Sequence, residues 1–284
     1  MKFCILLFLV VLISSCIKNN ENPSWIYIDS WELQSNKTNK EGILTQNFTN
    51  AYVLIDDKII GFFELPVKLP ILSDGNKKIE IYPVILNNGI SATKKVYPFC
   101  ESYLINLSLI RNKTVIIKPT TRYYTNTQFW IEDFEDAGVK IETDSNYPDV
   151  FSIDNTDSIL KYGASYGHIH LTNNNPSWYG YTNSKISLPK NGRDVYLEID
   201  YMNSNSLLTG VLSTDINGTK TNPNVLLNYQ RNKPYTWKKI YIDLKNIVSS
   251  SLTASYFEQY FKADLESGLS ESDIYIDNVK LVYY

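Results

Sequence analysis

Residues 194–202, DVYLEIDYM, alternate without a break: Val195, Leu197, Ile199 and Tyr201 fall on one side, Tyr196, Glu198, Asp200 and Met202 on the other. A period of two is the mark of a strand that turns one face toward a core. Comparable short runs follow one another along most of the chain. SWIYIDSWEL, AYVLIDD, KIIGFFEL, KKIEIYPVIL, ESYLINLSL and KTVIIKP come first; LLTGVLST, KKIYIDL, YFEQYFKADL and DIYIDNVKLVYY come later. Asp-Gly, Asn-Gly, Asn-Pro and Ser-Gly pairs stand between them, where a chain must reverse. Such strands bury their apolar faces only against a second sheet, so the expected fold is all-β, with two antiparallel β-sandwich domains. A hydrophobic fraction of 43% over 284 residues, with 22 tyrosines, is enough to fill two cores.

YFEQYFKADL is expected as a strand, because Phe257, Phe261, Ala263 and Leu265 share the period of two. In the last run Ile274 and Ile276 lie in one phase, whereas Val279, Leu281 and Tyr283 lie in the other. One residue must be absorbed near Asp277-Asn278, which predicts a β-bulge. The polar, proline-led stretch 119–128, PTTRYYTNTQ, is the expected domain boundary.

The first sixteen residues, MKFCILLFLVVLISSC, have a positive start at Lys2, an apolar run from Phe3 to Ile13 and small residues before Cys16. That is the layout of an export signal, and the run is too short to span a bilayer as a helix. Ile13-Ser14-Ser15-Cys16 resembles the bacterial lipobox, which implies cleavage before Cys16 and lipidation of its thiol, including a palmitate-type acyl chain. The expected division is then a signal peptide at 1–15, a lipidated tether at 16–24, an Ig-like sandwich at 25–122 and a second sandwich at 128–284. Cys4 leaves with the signal, so Cys100 is left without a partner and is read as a buried small hydrophobe.

Two further resemblances concern the sandwiches. Tyr52 to Ile81, with Asp56-Asp57-Lys58, Gly61, Pro66 and Asp74-Gly75 at its bends, resembles the PEGA-type repeat of bacterial surface proteins, which implies a non-catalytic spacer or contact module. FWIEDFED, the GHIHLT run, WKKIYIDL and IYIDNVKLV together resemble the galactose-binding-like jelly roll of carbohydrate-binding modules. The Asn-, Lys-, Ile- and Tyr-rich composition is similar to that of Bacteroidetes lipoproteins, which implies a cell-envelope setting at the outer membrane. Fold resemblance of this kind leaves sugar binding, protein binding and spacing open.

Few residues offer catalysis. Gly163-Ala164-Ser165-Tyr166-Gly167 matches GxSxG, yet a nucleophile elbow needs a following helix and a distant histidine, and the chain's two histidines, His168 and His170, follow at once on a strand pattern. A hydrolase is therefore the remotest reading, and the chain is expected not to be an enzyme. His168 and His170 share a strand face and could offer two imidazoles to a metal, with solvent-facing histidines as the alternative. Glu132, Asp133, Glu135 and Asp136, with Asp277 at the far end, form an acidic group. The jelly-roll resemblance implies that Asp133, Glu135 and Asp277 share a structural calcium near the 163–165 loop; no other cofactor is expected.

For a ligand, the suggestive stretch is NNNPSWYGYTN, where Trp178, Tyr179 and Tyr181 stand among asparagines; rings stack on the apolar faces of sugars. Burial of Trp178 beneath the loop is the alternative, and Tyr229 and Arg231 in LLNYQRNKPY are a second choice. Trp237 is expected in the core. A net charge of −3 gives no electrostatic case for nucleic acid. The expected partners are the membrane, through the lipid, and a glycan; an envelope protein contacted without any sugar site is the rival.

Overall fold

The computed structural model describes residues 22–147, 149–159 and 161–284; the expected signal and the expected lipidation site, Cys16, lie outside them. In chain order the first half carries β1 (Ser24–Ile28), β2 (Glu32–Leu33), β3 (Asn50–Ile55), β4 (Lys58–Glu64), β5 (Val67–Ile71), β6 (Gly75–Leu86), β7 (Lys94–Val96), β8 (Tyr103–Leu109), β9 (Thr114–Ile117) and β10 (Thr120–Thr121). The second half carries β11 (Gln128–Glu132), β12 (Ile141–Thr143), β13 (Phe151–Asp154), β14 (Tyr166–Thr172), β15 (Ser177–Thr182), β16 (Val195–Asn203), β17 (Leu207–Asp215), β18 (Gly218–Leu227) and β19 (Lys238–Asp243). A one-turn helix α1 (Lys245–Ser250) then precedes β20 (Tyr256–Asp264) and β21 (Glu271–Tyr283). The all-β class read from the alternation is what the chain adopts.

Two large sheets build the second half. One runs β13-β14-β21-β16-β19, with β11 also on β21; the other runs β12-β15-β20-β17-β18. Their inner faces meet in a core that includes Ile169, Leu171, Leu197, Ile199, Phe257, Phe261, Ile274 and Ile276. The first half has a sheet β4-β3-β6-β7, with β8 beside β7 on the same edge of the long strand β6, over a small sheet β5-β1-β9. Pairing is antiparallel except that β1 lies parallel to β9 and β2 to β10. Cys100 is free and buried in this half.

The expected bulge is present. Glu198 pairs with Lys280 and Asp200 with Asp277, so the residues between them are one on β16 and two on β21. Asn278 takes up the extra length at φ 47°, the left-handed region that asparagine tolerates better than most residues. Because of that step Val279 and Leu281 rejoin Ile274 and Ile276 in one core. YFEQYFKADL is a strand, as its period indicates. Helix α1 had no periodic signal, being too short to show one.

The halves meet along the outer face of the six-stranded sheet. Tyr196, Tyr241 and Val282 of the second half belong to the core of the first, where Tyr97 lies 5.0 Å from Tyr241 and 5.5 Å from Tyr196, ring centre to ring centre. The segment 119–128 is packed as well, with Thr121, Tyr123 and Thr127 all buried.

Candidate functional site

Alternation along β16, β19 and β21 sends their polar residues to that outer face. Part of it is roofed by the first half. Beneath the roof Glu198 accepts from Tyr123 Oη at 2.8 Å and from Tyr97 Oη, and pairs with Lys239 Nζ at 3.0 Å. Lys239 in turn donates to Thr45 Oγ1, whose hydroxyl donates to Asp200. Lys280 donates to the carbonyls of Glu41 and Ile43, 2.6 Å each. Burial, followed by the neighbouring charge of Lys239, pulls the Lys280 amine down to about 8.

Beyond the roof the same face is open. There β14 and β21 present His168, His170, Asp273 and Tyr275, and the loop leading into β19 folds over the edge of the sheet. Between them lies a cleft of about 500 Å³ lined by Ser158, Ile159, Lys161, Met202, Pro234, Tyr235, Thr236, Trp237, Asp273 and Tyr275. Trp237 is half-buried rather than in the core as expected. Its Nε1 donates to the Ile159 carbonyl at 2.8 Å, and Tyr162 and Tyr166 meet its ring edge-on at 6.2 Å. It thus stands as a wall, with a second cleft of about 410 Å³ on its other side, toward Gln46, Asn47 and Tyr241 of the junction.

Polar groups converge on the aromatic cleft. Asp273 Oδ1 lies 2.9 Å from His168 Nε2 and 2.8 Å from His170 Nδ1, and the Asp273 amide donates to Ser204 Oγ. The hydrogen bond with His168, reinforced by that with His170, holds the Asp273 carboxyl below the usual range against the opposing effect of burial. Tyr275 stacks on His168 with ring centres 4.7 Å apart, and its phenol is pushed up to about 12 by burial and then by the charge of Asp273. The phenol is therefore a neutral hydrogen-bonding group at physiological pH. Apolar ring faces beside a carboxylate, a lysine and a serine are the ingredients of an orientation-specific binding site.

The residues favoured by sequence lie elsewhere. Trp178 is 0% exposed, stacked on Phe151 at 5.5 Å, and donates to Thr143 Oγ1. Its ring has no free face, which corrects the expectation of a sugar platform there. The asparagine-rich setting had suggested a turn, but SWYGYT is strand β15, with Trp178, Gly180 and Thr182 inward. Tyr179 and Tyr181 point outward from the five-stranded sheet, away from the cleft, Tyr179 stacking on Tyr260 at 5.4 Å. Tyr229 and Arg231 are exposed in the loop that carries Tyr235 and Trp237, and neither lines the cleft.

The calcium set is not assembled. Glu135 turns to the 163–165 loop and accepts from the amides of Ala164 and Ser165 at 2.7 and 3.0 Å. Asp277 is 1% exposed, and burial followed by the charge of Asp200, Glu135 and Asp133 raises its carboxyl to about 8, the protonated form. Among the described residues the side chains grouped closely enough to hold a metal ion are His168, His170 and Asp273, whose ligand atoms lie within 4.8 Å of one another; Asp133, Glu135 and Asp277 form no such group. Ser165 has no histidine turned toward it, since both imidazoles are engaged with Asp273.

No family profile and no curated protein matches the chain. Several solved structures do. A carbohydrate-binding module of the β-sandwich superfamily aligns at 14% identity and a TM-score of 0.39, over 81% of this chain and 84% of that one. A family 61 module in complex with β-1,4-galactotriose aligns at 11% identity and 0.32, over 51% and 87%. The enzymatically active domain of tailspike protein 4 of bacteriophage CBA120 aligns at 11% and 0.34, over 56% of this chain and 20% of its own. These are distant alignments to proteins that include both binding modules and an enzyme domain, and none of them bears on the ligand of this chain.

Proposed function

We propose that the chain is a lipid-anchored, non-catalytic cell-envelope protein that binds glycan through the cleft of its second half. The observation that carries the reading is the cleft itself, with Tyr235, Trp237 and Tyr275 as ring surfaces and Asp273, Lys161 and Ser158 as partners for hydroxyls. Anchorage rests on the 1–16 segment alone, and the spacer role of the first half on its PEGA-like pattern. A glycan array probed with the full chain in detergent is the test. Tyr235→Ala and Trp237→Ala are expected to lose the retained glycans while the circular dichroism spectrum stays that of the wild type. Retention of every glycan by two folded variants would remove the cleft from consideration. Cys16→Ser is expected to leave the protein unlipidated and release it from the membrane fraction or block its processing.

One observation favours the rival reading, a structural lipoprotein with protein partners. Strand β4 is the outermost of its sheet, and Ile59, Ile60 and Phe62 on it are exposed, Ile59 at 67%. An apolar edge strand of this kind invites pairing with another chain. Failure of all glycans together with recovery of one envelope protein, lost on Ile59→Lys, would favour it.

A further inference from the structure

His168 and His170 lie two residues apart on β14, so their imidazoles share one face. Asp273 on β21 is directly opposite His170 and one step diagonal to His168, whose own partner is Tyr275. This register brings both imidazoles to a single carboxylate oxygen, at 2.9 and 2.8 Å, from positions 105 and 103 residues away in sequence. We propose that His168 Nε2, His170 Nδ1 and the Asp273 carboxylate bind a first-row transition-metal ion of the zinc class.

Four features support this assignment. The donor set, two imidazole nitrogens and one carboxylate oxygen, is one that zinc, nickel and copper accept and that calcium and magnesium, which prefer oxygen, do not. The spacing is close to what is needed. Ligand atoms ~2.0–2.2 Å from a tetrahedral ion stand ~3.3 Å apart, so the two contacts to Asp273 must open by about half an ångström, while the two nitrogens already lie within 4.8 Å of each other. The ring of His168 is already oriented, stacked on Tyr275 at 4.7 Å, with Asp154 Oδ2 3.8 Å from its other nitrogen, Nδ1. At that distance Asp154 makes no hydrogen bond to the ring but adds a negative charge beside it. Asp273 is held by its backbone, its amide donating to Ser204 Oγ and its carbonyl accepting from the Ser204 amide at 2.8 Å each.

The site is accessible. His170 is 46% exposed, and Asp273 also lines the cleft, so an ion on these three ligands keeps a coordination position free for a molecule in the cleft. Metal binding itself does not depend on the glycan reading.

The test uses the full chain, purified in detergent without a histidine tag and stripped with a chelator. Titration with Zn²⁺ by calorimetry is expected to show one equivalent bound, and Co²⁺ to give visible absorption bands of a site with nitrogen and oxygen ligands. His170→Ala and Asp273→Asn are each expected to weaken Zn²⁺ binding by at least about tenfold, on the scale seen when metal-site residues are lost. Their melting temperatures without metal should match the wild type, and millimolar Ca²⁺ should not compete. Absence of stoichiometric binding, equal affinity in a folded variant, or displacement by Ca²⁺ would each overturn the assignment.

Discussion

Glu198 and Lys239 pair diagonally across adjacent strands of the six-stranded sheet, Oε2 to Nζ 3.0 Å, with side chains only 0% and 3% exposed. They are buried because the first half of the chain covers them. Burial alone would raise the Glu198 carboxyl, but Lys239, Lys280 and the Tyr97 hydroxyl outweigh it and hold the carboxyl below its usual value. A depressed acid contributes stability above its unfolded value and loses it as the pH falls through the folded one, so this contribution is complete at neutral pH and vanishes in acid. Glu198→Ala leaves Lys239 buried without its partner and is expected to cost about 3–5 kcal/mol. Glu198→Leu combined with Lys239→Met and with Asp200→Asn, which removes the other buried charge paired with Lys239, should recover much of that loss. Denaturant melts of the wild type and the two variants decide it, and a combined variant no more stable than Glu198→Ala would contradict the pairing.

Asp277 gives a pH dependence of the opposite sign. Its folded value, about 8, lies above the unfolded one, so the folded state keeps a proton that the unfolded state releases. Stability therefore declines from about pH 4 to about pH 8, by at most about 1.4 kcal/mol per pH unit. Asp277→Asn mimics the protonated acid and can still accept from the Asn278 amide. Its melting temperature should exceed that of the wild type by a margin that widens as pH rises to 8. A constant margin would mean that Asp277 is ionised in the fold.

Division of the chain near 119–128 should give unequal products. The core of the second half draws only on its own residues, whereas that of the first includes Tyr196, Tyr241 and Val282 from beyond the boundary. Fragment 128–284 is expected to melt cooperatively. Fragment 22–127 should melt far below the intact chain and regain structure when the two are mixed in equal amounts. Circular dichroism of each fragment and of the mixture reads this directly, and an unaided first fragment as stable as the whole would refute it.

Trp178→Ala is expected to cost about 3–5 kcal/mol through lost burial and the cavity left behind, an earlier melt by roughly 10 °C. Tyr181→Ala, on the outer face of the same strand, should change the melting temperature little. Equal shifts from both variants would place Trp178 outside the core.

How much of this was legible follows from what each residue's neighbours in sequence can say. Val195, Leu197 and Ile199 are inward as their alternation states, and the change of phase after Ile276 located the bulge. The polar face was also identified, but Glu198, Asp200, Lys239 and Lys280 carry no local sign of being roofed, since burial by another part of the chain is a tertiary fact. Trp178 was misplaced because Asn and Pro before it suggested a turn, although the alternation Trp178, Gly180, Thr182 against Tyr179, Tyr181 marked a strand. Gly180 is itself part of that packing: a Cβ there would stand 2.3 Å from the indole. His168 and His170 were visible as a pair, and their third partner was not, because only strand order brings Asp273 alongside.

Strand β1 is the first strand among the described residues, and it runs down the middle of its sheet, bonded to β5 along Ser24 to Ile28 and to β9 along Trp25 to Ile28. In a chain held at its N-terminus while its far half grips a large immobile polymer, tension enters through β1. Pulled along its length between two neighbours, a central strand must shear both ladders together, whereas an edge strand peels one bond at a time. Under the anchorage proposed above, β1 is the joint that takes a steady pull, and its two ladders resist it together.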